Sequence, residues 1–171
     1  MIYLNIGSNL QSKYGDRFKN LAASIHLIKK LNVKIIGTSC IYETPSYPIK
    51  KYPKFLNLCV KLESKILPNK FINHIKNIEK KLGRFKSFKN NPRICDIDII
   101  DFNGIIVNSS KLILPHPRLH LRNFVLYPLR EIEPNWYHPI LRKNLNYFIN
   151  HLNIISRLEI TRLNKNVIIN R

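Results

Sequence analysis

Phe55 to Glu63 alternates without a break between two chemistries. In an extended chain successive side chains point to opposite faces. Leu56, Leu58, Val60 and Leu62 therefore share one face, and Phe55, Asn57, Cys59, Lys61 and Glu63 share the other. The leucine face must be buried, so the chain has to build a sheet around this strand. The second face is expected to be free, near its start, to carry function.

The other segments supply the rest of such a sheet. Ile2 to Ile6 predicts a short strand closed by Gly7-Ser8-Asn9. Asp16 suits an N-cap, and Phe18, Leu21, Ile25 and Ile28 recur at helical spacing to about Leu31. Val33 to Glu43 is β-rich and predicts a bent or interrupted strand, broken at Gly37. Thr44 to Pro53 carries three prolines and predicts an ordered loop. Pro68 opens a second helix with Phe71, Ile75, Ile78 and Leu82 inward, stopped by Gly83. After a polar, basic loop over 84–92, Ile94 to Phe102 predicts a strand, with Asn103-Gly104 as a hairpin turn into Ile105 to Val107. A stretch rich in Pro, His and Arg over 115–124 leads into a short helix from about Val125 to Ile132, and a basic tail follows from about Leu145. The order β-α-β-β-α-β with tight turns predicts an α+β fold: a ferredoxin-like α/β/α sandwich on a mainly antiparallel sheet, one domain over residues 1–171.

Composition narrows the function classes. A chain of 171 residues with 44% hydrophobic content has material for a core. No apolar run approaches the length of a membrane span, and Met1 to Leu10 has no signal-peptide pattern. Cys40, Cys59 and Cys95 lack C-x-x-C spacing, which argues against a zinc ribbon or disulfide scaffold and makes a reduced cytoplasmic setting the expectation. The net charge of +19 invites a nucleic-acid reading. The lysines, however, are dispersed: Lys29, Lys30, Lys50, Lys51, Lys80, Lys81 and Lys143 stand in scattered pairs or alone. Phosphates in a row are met by clustered cations, so the charge alone decides nothing.

The acids are more informative than the bases. Of ten, three fall within Asp96-Ile97-Asp98-Ile99-Ile100-Asp101. On a strand Asp96 and Asp98 share a face, with Cα atoms about 6.6–6.8 Å apart, and two carboxylates there repel unless a cation bridges them. They suit a pair of Mg²⁺ ions. Asp101 lies an odd step away and is expected to face elsewhere. Cations flank the pair: Arg84, Lys86, Lys89 and Arg93 before it, Lys111, His116, Arg118 and Arg122 after it. Arginine forks grip phosphate oxygens. No glycine-rich phosphate cradle occurs, so a nucleotide here has to be held by side chains and metal. His26, His74, His138 and His151 are expected to be ordinary surface or edge histidines. Asp-x-Asp also serves nucleotidyltransferases, and a basic nucleic-acid-binding domain stays open as a further alternative.

Taken in order, Gly7-Ser8-Asn9, Tyr42-Glu43-Thr44-Pro45, Phe55-Leu56-Asn57, Gly83-Arg84, Pro92-Arg93-Ile94-Cys95-Asp96-Ile97-Asp98-Ile99 and Pro115-His116-Pro117-Arg118 with Arg122 and Phe124 resemble the 6-hydroxymethyl-7,8-dihydropterin pyrophosphokinases of the folate pathway, from about Ile2 to Pro139. The resemblance implies transfer of the β,γ-diphosphate of ATP to the dihydropterin hydroxymethyl group, releasing AMP. It implies Asp96 and Asp98 as ligands of two Mg²⁺ ions, with Arg84 and Arg93 completing the catalytic set. ATP would be met by Glu79 (on the polar face of the second helix), Lys86, Ile99, Lys111, His116 and Arg122. The pterin would be held by Thr44, Pro45, Tyr47, Phe55, Asn57 and Phe124, stacked between the two phenylalanines. A monomer working on small molecules, without nucleic acid or membrane, is the expectation. The sequence departs from the family pattern at residues 86–91, at Ile94-Cys95 where Thr-Leu is usual, and at Phe55 where tyrosine is frequent.

Overall fold

A computed structural model of the chain describes residues 1–84, 91–165 and 167. In a six-stranded sheet β1 (Ile2–Ser8) lies between the edge strand β5 (Asp96–Phe102) and β4 (Phe55–Glu63), antiparallel to both. β4 in turn pairs with β2 (Lys34–Thr38) along its second half and β3 (Ile41–Thr44) along its first, and β8 (Thr161–Leu163) adds to β3. Every residue of β1 is buried, because helices cover both faces of the sheet. On one face α1 (Arg17–Lys29) and α2 (Pro68–Lys81) cover Ile2, Leu4, Ile6 and the leucine row of β4, with Leu21, Ile28, Phe71 and Ile75 inward. Asp16 caps α1, its Oδ1 accepting from Lys19 N–H at 2.9 Å. The other face carries α3 (Asn123–Ile132) and α4 (Leu145–His151), whose Val125, Leu126, Leu129 and Phe148 close a second core over Tyr3, Cys59 and Ile100. The result is the α/β/α sandwich on an antiparallel sheet that the sequence predicts.

Several local expectations are corrected. The strand over 33–43 is interrupted, but at Ser39-Cys40; Gly37 marks only a register shift against β4. Ser39 Oγ accepts from Cys59 N–H at 2.9 Å, a side-chain oxygen standing in for the ladder carbonyl at the break. Asn103 and Gly104 form a left-handed turn (φ 54° and 70°), with Ile105 N–H donating to Phe102 O at 3.1 Å. The outgoing chain does not return along β5. Instead β6 (Val107–Asn108) pairs with β7 (Ile113–Leu114) in a separate two-stranded sheet, and His116 N–H reaches β5 at Ile100 O, 2.9 Å. The second face of β4, expected to be free near its start, is covered further along, where Cys59 is buried under α3. His138 is buried too, its Nδ1 accepting from the N–H groups of Ile140 and Leu141 at 3.2 Å.

The segment after Leu145 is part of the packing. Leu145, Phe148 and Ile149 of α4 are buried, α5 (Ile154–Leu158) lies on the surface, and β8 extends the main sheet. Phe148→Ala is therefore expected to destabilise the protein by about 3–5 kcal/mol in urea unfolding, the usual cost of emptying a buried phenylalanine site. A loss below about 1 kcal/mol would mean that the α4 face is dispensable.

Candidate active site

Strand register assembles the site. Gly7 is the cross-strand partner of Asn57 on one side and of Asp96 on the other; Asn5 is the partner of Cys59 and of Asp98. Partners share a face, so Asn57, Gly7 and Asp96 form one row and Cys59, Asn5 and Asp98 the next. Asn57 and Thr44 are both buried, and Asn57 Nδ2 donates to Thr44 Oγ1 at 3.3 Å. Gly7 is needed for this approach: a Cβ there would lie 2.9 Å from Asn57 Oδ1 and 3.7 Å from Phe55 Cδ1. Gly7→Ala should displace the Asn57 amide, costing about 1–3 kcal/mol of stability. If Asn57 binds the pterin, affinity for it should fall about tenfold in calorimetric titration, a lost hydrogen bond's worth; unchanged affinity would remove Asn57 from that role.

The charged half of the site is a set of paired ions. Asp96 Oδ1 meets Arg84 Nη1 at 2.7 Å and its Oδ2 meets Arg93 Nη1 at 2.8 Å. Asp98 Oδ2 meets Arg122 Nη1 at 3.0 Å, with His116 Nε2 at 3.8 Å. Burial and the neighbouring Asp98 push the Asp96 carboxyl up, against the pull of Arg84, Arg93 and Arg122. Glu79 sits behind Arg84. Its Oε1 accepts from the Arg84 guanidinium and, at 2.8 Å, from Ile97 N–H. Burial pushes Glu79 up to about 7 although Arg84 opposes the shift. Burial, then Arg122 and Arg118, push His116 down to about 4, so the ring is neutral at pH 7. Its Nδ1 accepts from Arg118 N–H at 3.1 Å, and its Nε2 lies 3.4 Å from Arg122 Nη1 and 3.8 Å from Asp98 Oδ2. Burial therefore works against the cationic form of His116 that the ring of cations suggests.

A family model described as 7,8-dihydro-6-hydroxymethylpterin-pyrophosphokinase (HPPK) matches residues 3–134. The chain belongs to that family. It is 37% identical over 147 residues to the 2-amino-4-hydroxy-6-hydroxymethyldihydropteridine pyrophosphokinase of Aquifex aeolicus, covering 86% of this chain and 89% of that one. It is 38% identical over 146 residues to a folic acid synthesis protein of Dictyostelium discoideum, covering 85% of this chain and 22% of that protein. The chain thus spans nearly all of one relative's length and about a fifth of the other's. Among solved structures, wild-type HPPK-DHPS of Plasmodium falciparum with pteroate superimposes with a TM-score of 0.72 at 18% identity, covering 94% of this chain and 47% of that one. At that identity the likeness establishes the fold. Membership in the HPPK family favours neither the nucleic-acid nor the nucleotidyltransferase alternative.

Against the residues expected of an HPPK, the structure brings Arg84, Arg93, Asp96, Asp98, His116 and Arg122 together with Glu79. Glu79 is buried against β5 and does not lie on the solvent face of α2, because Ile97 N–H and Arg84 draw it inward. Thr44, Asn57 and Phe55 border the same face, and Phe124 lies beneath the Arg122 guanidinium, 5.4 Å from its ring centre. Pro45 follows Thr44 into the loop, whereas Tyr47 projects from that loop 86% exposed. Ile99 turns its side chain into the first core, so it offers the site only backbone. Lys111 is exposed on the turn between β6 and β7 and is not among the cations paired with the two carboxylates. Lys86 lies outside the described residues. Asp101 contradicts its expected orientation: a register shift in the β1–β5 ladder, with Ile100 as the extra residue, pairs Asp101 with Tyr3 and lets its Oδ2 accept from Trp136 Nε1–H at 2.8 Å. It stays out of the site because its oxygens are used there and at Gly104 N–H, 2.9 Å.

One residue that sequence reasoning quoted without a role is Asn9. Its Oδ1 accepts from Arg93 N–H at 2.6 Å, and its Nδ2 donates to Ser46 Oγ at 3.2 Å and Pro53 O at 3.0 Å. It thereby ties the Arg93 segment to the proline loop. The Gly7-Ser8-Asn9 motif was the available signal: a polar side chain directly after a buried strand.

Proposed function

We propose that this HPPK transfers the β,γ-diphosphate of ATP to the hydroxymethyl group of 6-hydroxymethyl-7,8-dihydropterin and releases AMP, with two Mg²⁺ ions at Asp96 and Asp98. The observation that carries this reading is the same-face carboxylate pair already held by Arg84, Arg93 and Arg122. The donors suit a hard cation: they are oxygens, and their mutual repulsion favours added positive charge. Among the described residues no three His, Cys, Asp or Glu side chains gather at a point, so water and phosphate oxygens would complete the coordination, as Mg²⁺ prefers. Bound there, Mg²⁺ supplies neutralisation of phosphate charge.

The chain's own residues supply the rest. Arg84, Arg93 and Arg122 present planar forks to phosphate oxygens, and neutral His116 stands beside Arg122. Glu79 fixes Arg84 through its second contact, to the β5 backbone. Asn57 and Thr44 hold the polar edge of the pterin, while Phe55 and Phe124 flank its ring. Little covalent work is asked of the protein, since positioning and charge stabilisation dominate phosphoryl-type transfer. Within the described residues no helix is long and apolar enough to cross a membrane; a cytoplasmic monomer is the setting we propose. The decisive assay follows products. AMP formed from ATP only when both the dihydropterin and Mg²⁺ are present supports the reading, whereas pyrophosphate release would sink it in favour of nucleotidyl transfer.

A further inference from the structure

Asn5 sits on β1 where the second apolar core gives way to the charged site. Tyr3, one step back on its face, belongs to that core, and Gly7, one step forward, lies beside Asp96. Asn5 itself is paired with Cys59 and Asp98. It is 4% exposed, and among the described residues its Oδ1 has no hydrogen-bond partner. A buried carbonyl oxygen without a donor costs stability, and an apolar side chain of the same shape would remove that cost. Arg122, paired with Asp98, and His116, which takes the Arg118 N–H and lies against Arg122, do not serve Asn5.

We propose that Asn5 is a positioning residue whose Oδ1 accepts a hydrogen bond from an O–H group that arrives beside Asp98 with the substrates. Two sources carry such a group: a water on the cation at Asp98, and the hydroxymethyl group of the pterin. The assignment rests on the reading of Asp98 as a cation site. In the loaded enzyme the acceptor gains its donor, so the residue that weakens the empty fold strengthens the complex.

The test is calorimetric titration of the full chain, first with Mg²⁺ and a non-hydrolysable ATP analogue, then with the dihydropterin, for wild type, Asn5→Leu, Asn5→Ala and Asn5→Asp. Leu keeps the shape without an acceptor, Ala removes both, and Asp keeps an acceptor oxygen. The expected result is affinity about tenfold weaker for Leu and Ala, with a thermal midpoint for Leu equal to wild type or higher, and affinity for Asp no weaker than wild type. Loss in the first titration assigns the cation-bound water; loss confined to the second assigns the hydroxymethyl group. Wild-type affinity of Leu and Ala in both titrations, or weakening that only tracks a lowered midpoint, overturns the proposal. Asp98→Asn is the separate control: undiminished Mg²⁺–analogue binding by that variant overturns the cation reading itself.

Discussion

Asp96→Asn and Asp98→Asn should each lower the rate of pterin-dependent AMP formation by about 10³-fold, the upper range for removing one preorganised electrostatic group at a reacting phosphate. Asparagine keeps the shape and one oxygen but removes the charge that holds a cation, so the loss should fall on kcat more than on the KM of the pterin. The two variants are not equivalent structurally. Asp96 anchors Arg84 and Arg93, and Asp98 anchors Arg122. Neutralising Asp96 thus leaves two guanidiniums without their carboxylate, and its folding cost should exceed that of Asp98→Asn in urea unfolding. Rates within tenfold of wild type for both variants would remove the carboxylate pair from the chemistry.

Free Mg²⁺ should bind the enzyme about 100-fold more weakly than Mg²⁺ in the presence of a non-hydrolysable ATP analogue, near the upper end of typical coupling between sites. Both oxygens of Asp96 and Oδ2 of Asp98 are engaged by arginines. A cation arriving alone has to displace these guanidiniums and leave them without counter-charge in a partly buried pocket, which is costly. Phosphates change the exchange, because the arginines released from the carboxylates find new partners as the cation takes their place. Linkage makes the effect reciprocal: the analogue should bind more tightly with Mg²⁺ by the same factor. Calorimetry over a Mg²⁺ series, corrected for formation of the Mg²⁺–analogue complex in solution, measures the coupling. Equal Mg²⁺ affinity with and without the analogue would show that the arginine pairs pose no barrier.

What the sequence made legible were the features written in short periods. The two-residue alternation of Phe55 to Glu63, the helical spacing of Phe71, Ile75 and Ile78, and the Asp96/Asp98 parity all depend on near neighbours, and all reappear in the structure. Features set by distant segments did not show. What covers Cys59 does not show until α3 and α4, far along the chain, are in place. Glu79 reads as a solvated helix residue until β5 presents Ile97 N–H to it. Asp101 escapes a count by twos, which assumes an unbroken ladder, because one shifted register reverses every face beyond it. The cationic ring was foreseen as a set of phosphate contacts, but its pairing with the carboxylates is a property of the assembled site.

The outermost strand of the main sheet, β8, is three residues long, and its Arg162 turns back to Glu131 at 3.3 Å. An exposed strand edge is a template on which a neighbouring molecule can grow its own strand, and a brief, charged edge gives such growth little to hold. By occupying the side of β3, β8 shields Ile41, Tyr42 and Glu43 from that encounter. The basic segment that carries no chemical motif thus covers the edge of β3 and ends the sheet on a short, charged strand that offers a neighbour little to pair with.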